Sequence, residues 1–380
     1  MAIEFYGDFK LGILGGGQLG RMLIQEAINY NVDIAILDPD PNAPCKDLSK
    51  EFIVGSLGDF DTVYQFGKNK DMLTIEIEKV NVNALEKLEE EGVRVYPPSR
   101  IIGLIQDKGL QKQFFKLNEI PTAPFQLFSS QSELEEADLQ PPFIQKLRRD
   151  GYDGRGVKKI ETEDDLKDAF DAPSLVEQWI DFDKEIAVIV SRNQSGTVAT
   201  YPCVEMEFNP TVNLVEFLIS PSTLPFNIQQ QAEHLARKIA EDLQLIGILA
   251  VEMFLTKDGE LLVNELAPRP HNSGHHTIEG NVTSQFAQHL RAIFNLPPGD
   301  TSARCHSVMI NLLGEEGHDG LAQYNGISEV MGLEGVFIHL YGKKYTKPFR
   351  KMGHITVIHE TRETAISLAK EVQNMIKVTT

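Results

Sequence analysis

The segment from Ala250 to Thr277, AVEMFLTKDGELLVNELAPRPHNSGHHT, constrains this chain more than any other. Asp258-Gly259 is a two-residue hairpin signal with apolar, alternating runs on both sides. With those two residues as the turn, Lys257 pairs with Glu260. Counting outward sets Glu252 opposite Glu265, on the face that also carries Phe254 and Val263. Two carboxylates facing each other across a ribbon repel by roughly 0.2–1 kcal/mol when exposed and by more when desolvated. Two readings fit: a solvated acidic face, or a rigid two-oxygen seat for a divalent cation. The run Arg269-Pro270-His271-Asn272-Ser273-Gly274-His275-His276 follows the second strand directly and is rich in side chains that bind anions or move protons.

A chain of 380 residues has room for two to four domains. Its net charge of −19 argues against nucleic acid or an anionic membrane surface as partner. An anionic substrate must then be drawn in by local clusters of cations. Cys45, Cys203 and Cys305 are widely spaced and form no CxxC pair, as expected of buried free thiols in a reducing compartment. The N-terminus lacks a basic-then-apolar signal pattern, and the most apolar run, Leu245 to Leu255, is broken by Glu252. A cytoplasmic location without membrane association is the expectation.

Lys10 to Gly15 reads as a strand running into GGGQLGRM, in which Gly15, Gly17 and Gly20 fit G-x-G-x-x-G. A helix follows with Leu19, Met22, Leu23, Ala27 and Ile28 on one face, then a strand from Val32 to Leu37 that ends in Asp38. This spacing fits a dinucleotide site, hence an NAD-dependent dehydrogenase; it also fits a turn that binds a simple phosphate monoester, or a purely structural tight turn. Met72 to Glu78 reads as a strand with Glu76 and Glu78 on one face. A doubly wound domain closing near Pro97-Pro98 is the simplest arrangement. Asp107 to Asn118 reads as a helix carrying several cations, and Pro141 to Lys146 as a strand ending in lysine. After it comes RRDGYDGRGV, a glycine loop with interleaved arginines suited to lie over polyphosphate. Leu175 to Ile180 and Lys184 to Val190 read as strands around an Asp181–Asp183 turn. Gln229 to Leu243 and Thr283 to Phe294 read as helices, and Pro297-Pro298-Gly299 as a boundary. In the last stretch Lys343, Lys344, Lys347, Arg350 and Lys351 crowd into one hairpin, which is either a solvated run or a phosphate clamp.

Taken together, GGGQLGRM, GYDGRG, NELAPRPHNSGHHT, TSQFAQHLRA and RKMGH resemble, in order and spacing, the ATP-grasp superfamily. More narrowly, the chain resembles its 5-(carboxyamino)imidazole ribonucleotide synthases over nearly its whole length. The resemblance implies an α/β chain, α+β in its centre. It has a Rossmann-like pre-ATP-grasp domain over 1–104, an ATP-grasp domain over 105–298 with a lid at about 120–182, and a small β-rich domain over 299–380. It implies a homodimer using ATP, Mg²⁺, bicarbonate and 5-aminoimidazole ribonucleotide, and making the N-carboxylated ribonucleotide through carboxyphosphate.

By motif, Lys108 and Lys146 would hold ATP phosphates. Gly151, Tyr152, Asp153, Gly154, Arg155, Gly156 and Val157 would form the closing loop. Glu177, Gln178, Trp179, Ile180 and Glu185 would hold adenine and ribose, with Asn264 and Glu265 also at the nucleotide. Glu252 and Glu265 would hold Mg²⁺. Arg269, His271 and Asn272 would place bicarbonate and carboxyphosphate. Tyr152 and Asp153 join these as catalytic candidates and meet the ribonucleotide, together with Gly17, Gln18, Leu19, Glu76, Lys343, Arg350 and Lys351. The chain departs from its relatives at Lys108, where they often carry Arg, and at Met206 and Phe208, where they carry Asn and His. No nucleotide contact is expected from that last strand. Rivals are a formate or amino-acid ligase of the same superfamily, the dehydrogenase, and a nucleotide sensor without turnover.

Overall fold

The computed structural model describes residues 9–137, 139–149, 151, 156–208 and 215–380. Near the N-terminus five parallel strands line up in the order Glu51–Val54, Asp33–Asp38, Lys10–Leu14, Met72–Ile75, Arg94–Val95. Helices cover both faces, which is why these strands are near-continuous apolar runs. One face buries Leu11, Ile13, Ile34, Ile36 and Met72 against Leu19, Met22, Leu23 and Ala27 of the helix Gln18–Asn29. The other buries Leu37, Leu73 and Ile75 against Phe66, Leu85 and Leu88. The expected apolar stripe is off by one member: Ile28 is 69% exposed, and Ile24 packs inside instead. The strand ends at Ile75, so Glu76 and Glu78 lie beyond it at the crevice where the strand order reverses.

The centre of the molecule is a nine-stranded sheet. Its main path runs Leu261–Ala267, Gly247–Thr256, Phe182–Arg192, Val204–Phe208, Val215–Ser220, His306–Leu313, Lys351–His359, Val336–Leu340, with every neighbour antiparallel. The helix Phe226–Asp242 covers its first part through Ala232, Leu235, Ala236 and Ile239. The helix Arg362–Met375 covers the far part through Ala365, Ala369 and Val372. Strands from 299–380 therefore extend the central sheet directly, since His306–Leu313 pairs with Val215–Ser220. The helix Gln285–Ile293 packs on the N-terminal sheet through Phe286, Leu290 and Ile293, which locks that sheet to the central one. A smaller antiparallel sheet, Phe125–Phe128, Ser174–Gln178, Phe143–Leu147, Val157–Ile160, stands beside them. The expected turn at Asp181–Asp183 is instead the start of the long strand Phe182–Arg192, which absorbs Asp183 as an irregularity between Phe182 and Lys184. No described helix is long and apolar enough to cross a membrane.

Candidate active site

Glu252 and Glu265 are directly paired across the Gly247–Thr256/Leu261–Ala267 hairpin. The turn differs from the two-residue expectation. Thr256 N–H donates to the Glu260 carbonyl at 2.9 Å and Gly259 N–H to the Thr256 carbonyl at 3.0 Å, so the loop has three residues with Gly259 at φ +85°. That moves the pairing by one, giving Phe254 opposite Leu262 and Met253 opposite Val263. A bulge at Asn264 moves it back, and the two glutamates meet after all. Val263 is accordingly not on the acidic face: it sits in the core with Met253, and its N–H donates to the Pro121 carbonyl at 2.8 Å.

Lys108 opens the helix Lys108–Leu117, whose N-cap Asp107 accepts from Gly109 and Leu110 N–H. The lysine Nζ lies 3.0 Å from Glu265 Oε2. Lys146, near the end of the strand Phe143–Leu147, lies 2.5 Å from Glu177 Oε2 and donates to Asn264 Oδ1 at 3.2 Å. Glu177 is thus buried between Lys146 and Lys112, its carboxylate turned to the lysines. Burial opposes its charge, but Lys146 and Lys112 more than reverse this and hold its carboxyl below the usual range. Lys112 escaped the sequence reading, although its spacing of four from Lys108 sets both on one helix face.

The carboxylates of the cleft are electrostatically unequal. Lys108 draws the Glu265 carboxyl down, against burial. Burial, then Glu265 and Glu185, push Glu252 up. Burial likewise pushes Glu185 up to about 7, Lys146 opposing and Glu265 adding. This frustrated pair is a place that a cation would relieve. Among the described residues no group of three His, Cys, Asp or Glu forms a metal cage. Two carboxylates, with the remaining ligands left to phosphate and water, match the habit of Mg²⁺.

After the hairpin, Arg269 Nε sits 2.8 Å from Glu78 Oε1. His271 is clamped through its backbone by Gln285, whose Oε1 accepts the His271 N–H at 2.9 Å and whose Nε2 donates to the His271 carbonyl at 2.7 Å. Gln285 is fully buried, and a Cβ on Gly274 would collide with it. No local sequence signal marks Gln285 for this task. His271 Nδ1 is 3.6 Å from Glu252 Oε1 and accepts from the Ser273 N–H. Burial, then Arg269 and Lys351, lower its pKa to about 3, so the ring is neutral. Asn272 and Asn311 exchange side-chain hydrogen bonds at 2.8 and 3.2 Å. His275 and His276 leave the group of candidates, because both are buried, with His275 stacked on Phe286 and tilted against His354.

At the N-terminal turn, the carboxylate of Asp38 accepts Gly16 N–H at 2.6 Å and Asp40 N–H at 2.7 Å. Glu76 Oε1 accepts the Leu19 N–H at 3.2 Å, and a Cβ on Gly17 would strike it. The Glu76 carboxylate thus occupies the helix N-terminus that a dinucleotide pyrophosphate needs, which counts against the dehydrogenase reading. The Leu19 amide, expected at the ribonucleotide, is likewise already engaged, while Gln18 opens the helix.

Burial pushes the Glu76 carboxyl from 4.5 up to about 7, with Arg269, the Leu19 N–H and Lys343 opposing and Asp38 adding. The folded state therefore keeps a proton that the unfolded chain loses between those values, and stability falls as pH rises through that window. Glu76→Gln keeps the acceptor and removes the charge. Its stability relative to the native chain should rise with pH across the window, reaching about 3 kcal/mol by pH 8. Urea unfolding from pH 5 to 8 reads this, and a pH-independent difference would refute it.

Of the basic hairpin, Lys343 lies close enough to Glu76, and Lys351 to His271 and Glu252, to affect their ionisation. Arg350 is directed elsewhere, Nη1 donating to the Tyr345 carbonyl at 2.7 Å. Lys344 lies over the Tyr345 ring. Gln178 and Trp179 are exposed and Ile180 half-buried, with Lys159 Nζ 4.2 Å above the Trp179 ring. Gly151, Gly156 and Val157 flank the loop, whereas Tyr152, Asp153, Gly154 and Arg155 lie outside the described residues. Met206 is buried in an apolar cluster with Leu218 and Met309, against which Phe208 packs.

An ATP-grasp domain matches residues 113–286, a ribonucleotide synthetase preATP-grasp domain 9–106, and a phosphoribosylaminoimidazole carboxylase C-terminal domain 307–367. The chloroplastic phosphoribosylaminoimidazole carboxylase of Vigna aconitifolia is 40% identical over 360 residues, covering 92% of this chain and 64% of that protein. The chain spans just under two thirds of the length of this and similar curated fungal relatives. The N5-carboxyaminoimidazole ribonucleotide synthetase of Thermotoga maritima superposes with a TM-score of 0.89 at 41% identity, covering 98% of this chain and 99% of that one. The Aspergillus clavatus synthase solved with ADP and 5-aminoimidazole ribonucleotide gives 0.88 at 34%, covering 97% and 98%. By motif content, fold and full-length similarity, the chain belongs to the ATP-grasp family of N5-carboxyaminoimidazole ribonucleotide synthases.

Proposed function

We propose that this chain uses ATP and bicarbonate to carboxylate the amino group of 5-aminoimidazole ribonucleotide, giving ADP, phosphate and the carbamate. The observation that carries the reading is the convergence of Glu252 and Glu265 with Lys108, Lys146, Arg269 and His271 in a chain that matches such synthetases end to end.

Bicarbonate is a poor electrophile. Its oxygen attacks the γ-phosphorus, ADP leaves, and the resulting carboxyphosphate breaks into CO₂ and phosphate. The amine nitrogen then bonds to the CO₂ carbon, and its proton passes to phosphate. Because the intermediates decompose in water, the protein's task is to position charge and exclude solvent. Lys108 and Lys146 balance phosphate charge, and Arg269, held by Glu78, presents a fixed cation to bicarbonate. Neutral His271 and Asn272 supply hydrogen bonds without adding charge. Glu252 and Glu265 would hold Mg²⁺, which supplies charge neutralisation at the transferring phosphoryl group. Trp179 with Gln178, Ile180 and Glu185 forms the adenosine side, and Gly17, Gln18, Glu76, Lys343 and Lys351 the ribonucleotide side.

The same reading includes a homodimer, which sedimentation would contradict by returning the mass of one 42.5 kDa chain. The decisive experiment is ADP release. Turnover should require both bicarbonate and 5-aminoimidazole ribonucleotide. Turnover with formate or glycine in place of bicarbonate, and none with bicarbonate, would sink the reading.

A further inference from the structure

We propose that Arg21 is an additional substrate-binding residue, holding the phosphate of a phosphorylated ribose together with Lys343. The inference rests on the ribonucleotide reading above and assigns that substrate's phosphate to a side chain from the N-terminal glycine turn.

Arg21 sits one turn into the helix Gln18–Asn29, its N–H bonded to the Gly17 carbonyl at 3.0 Å. Its guanidinium spans the cleft to the basic hairpin: a Cβ on Gly342 would come within 3.0 Å of Arg21 Nη1. Gly342 adopts φ +76°, so glycine there serves both the backbone turn and this close approach. Lys343 follows immediately. The Cys45 thiol feels Glu76, Asp38 and Arg21 together, which puts the arginine in the neighbourhood of both carboxylates. Neither pairs with it. Asp38 is taken by Gly16 and Asp40 N–H, and Glu76 receives the Leu19 N–H.

Among the described residues, then, no carboxylate pairs with Arg21 and its half-exposed guanidinium donates no hydrogen bond to protein. In a chain with 55 acidic and 36 basic side chains, an arginine that pairs with no described carboxylate is held for an external anion. The cleft is polarised to suit a sugar phosphate. Glu76 lies against Gly17, where it would offer an acceptor to ribose hydroxyls, and Arg21 reaches the backbone at Gly342, next to Lys343. An arginine fork matches phosphate geometry better than an ammonium does. Arg350 and Lys343 each give a donor to a backbone carbonyl of the hairpin, Tyr345 and Lys351 respectively, whereas no described residue accepts from the Arg21 guanidinium.

The test compares full-length native protein with Arg21→Ala and Arg21→Lys. Arg21→Ala should weaken calorimetric binding of ribose 5-phosphate, and raise KM for the ribonucleotide, by on the order of 10- to 100-fold, as a lost charge-assisted pair implies. The KM for ATP should not move, and Arg21→Lys should recover part of the loss. The dephosphorylated riboside should be used equally poorly by native and Arg21→Ala protein. Equal losses with ribonucleotide and riboside would show a merely structural role and overturn the proposal, as would unchanged ribose 5-phosphate binding. If the native protein shows no bicarbonate-dependent turnover, the carboxylation reading falls, and the ribose 5-phosphate titration still decides the role of Arg21.

Discussion

Glu265→Gln should lower turnover by at least about 10³-fold, because a lost carboxylate ligand removes several kcal/mol of charge stabilisation and each 1.36 kcal/mol is tenfold. The fold should survive. The substitution gives up the 3.0 Å pair with Lys108, but it also removes the nearest like charge from Glu252, and the two effects offset. ATP binding can be followed separately, since Trp179 is the chain's single tryptophan and is proposed to stand at the adenosine side. ADP release and Trp179 fluorescence, with circular dichroism as a folding control, then distinguish a metal-seat defect from misfolding. Native-like turnover in this variant would refute the assignment of Glu252 and Glu265.

A second large effect is expected at Glu177, in stability as much as in catalysis. Glu177→Ala leaves Lys112, only 3% exposed, and Lys146 as neighbouring uncompensated cations. Breaking a buried pair in this way costs about 3–5 kcal/mol. Lys146 also loses the carboxylate that orients it beside Asn264, so KM for ATP should rise together with the loss of stability. Urea denaturation and ATP kinetics on one preparation check both. A stability loss under about 1 kcal/mol would mean that the lysines find other partners or shed their protons.

Much of the scaffold was legible from pattern alone. Apolar runs located the parallel strands at Lys10–Leu14, Asp33–Asp38 and Met72–Ile75. Helical periodicity located Phe226–Asp242 and Gln285–Ile293. Pattern failed where long-range partners decide. Ile28 looks like a core residue on the helical wheel, yet it is left 69% exposed while its neighbour Ala27 is buried against the sheet. Backbone hydrogen bonds between Val215–Ser220 and His306–Leu313 carry one sheet past the proline pair before 299, a pairing that no local pattern reveals. His275 and His276 carry the same chemistry as His271 on paper, and burial alone separates them.

The hairpin shows where the division lies. Its local sequence determined that two strands turn back near Gly259 and that Glu252 and Glu265 belong to one ribbon, because turn chemistry and side-chain alternation act over a few residues. Their face-to-face pairing depends on a bulge at Asn264, sustained by contacts from distant chain, the Pro121 carbonyl and Lys146. Tertiary structure also decided the charges: Lys108 keeps Glu265 ionised while burial and Glu265 push Glu252 toward its proton. Those energies depend on desolvation and on distances between residues far apart in the chain, which only the folded arrangement sets.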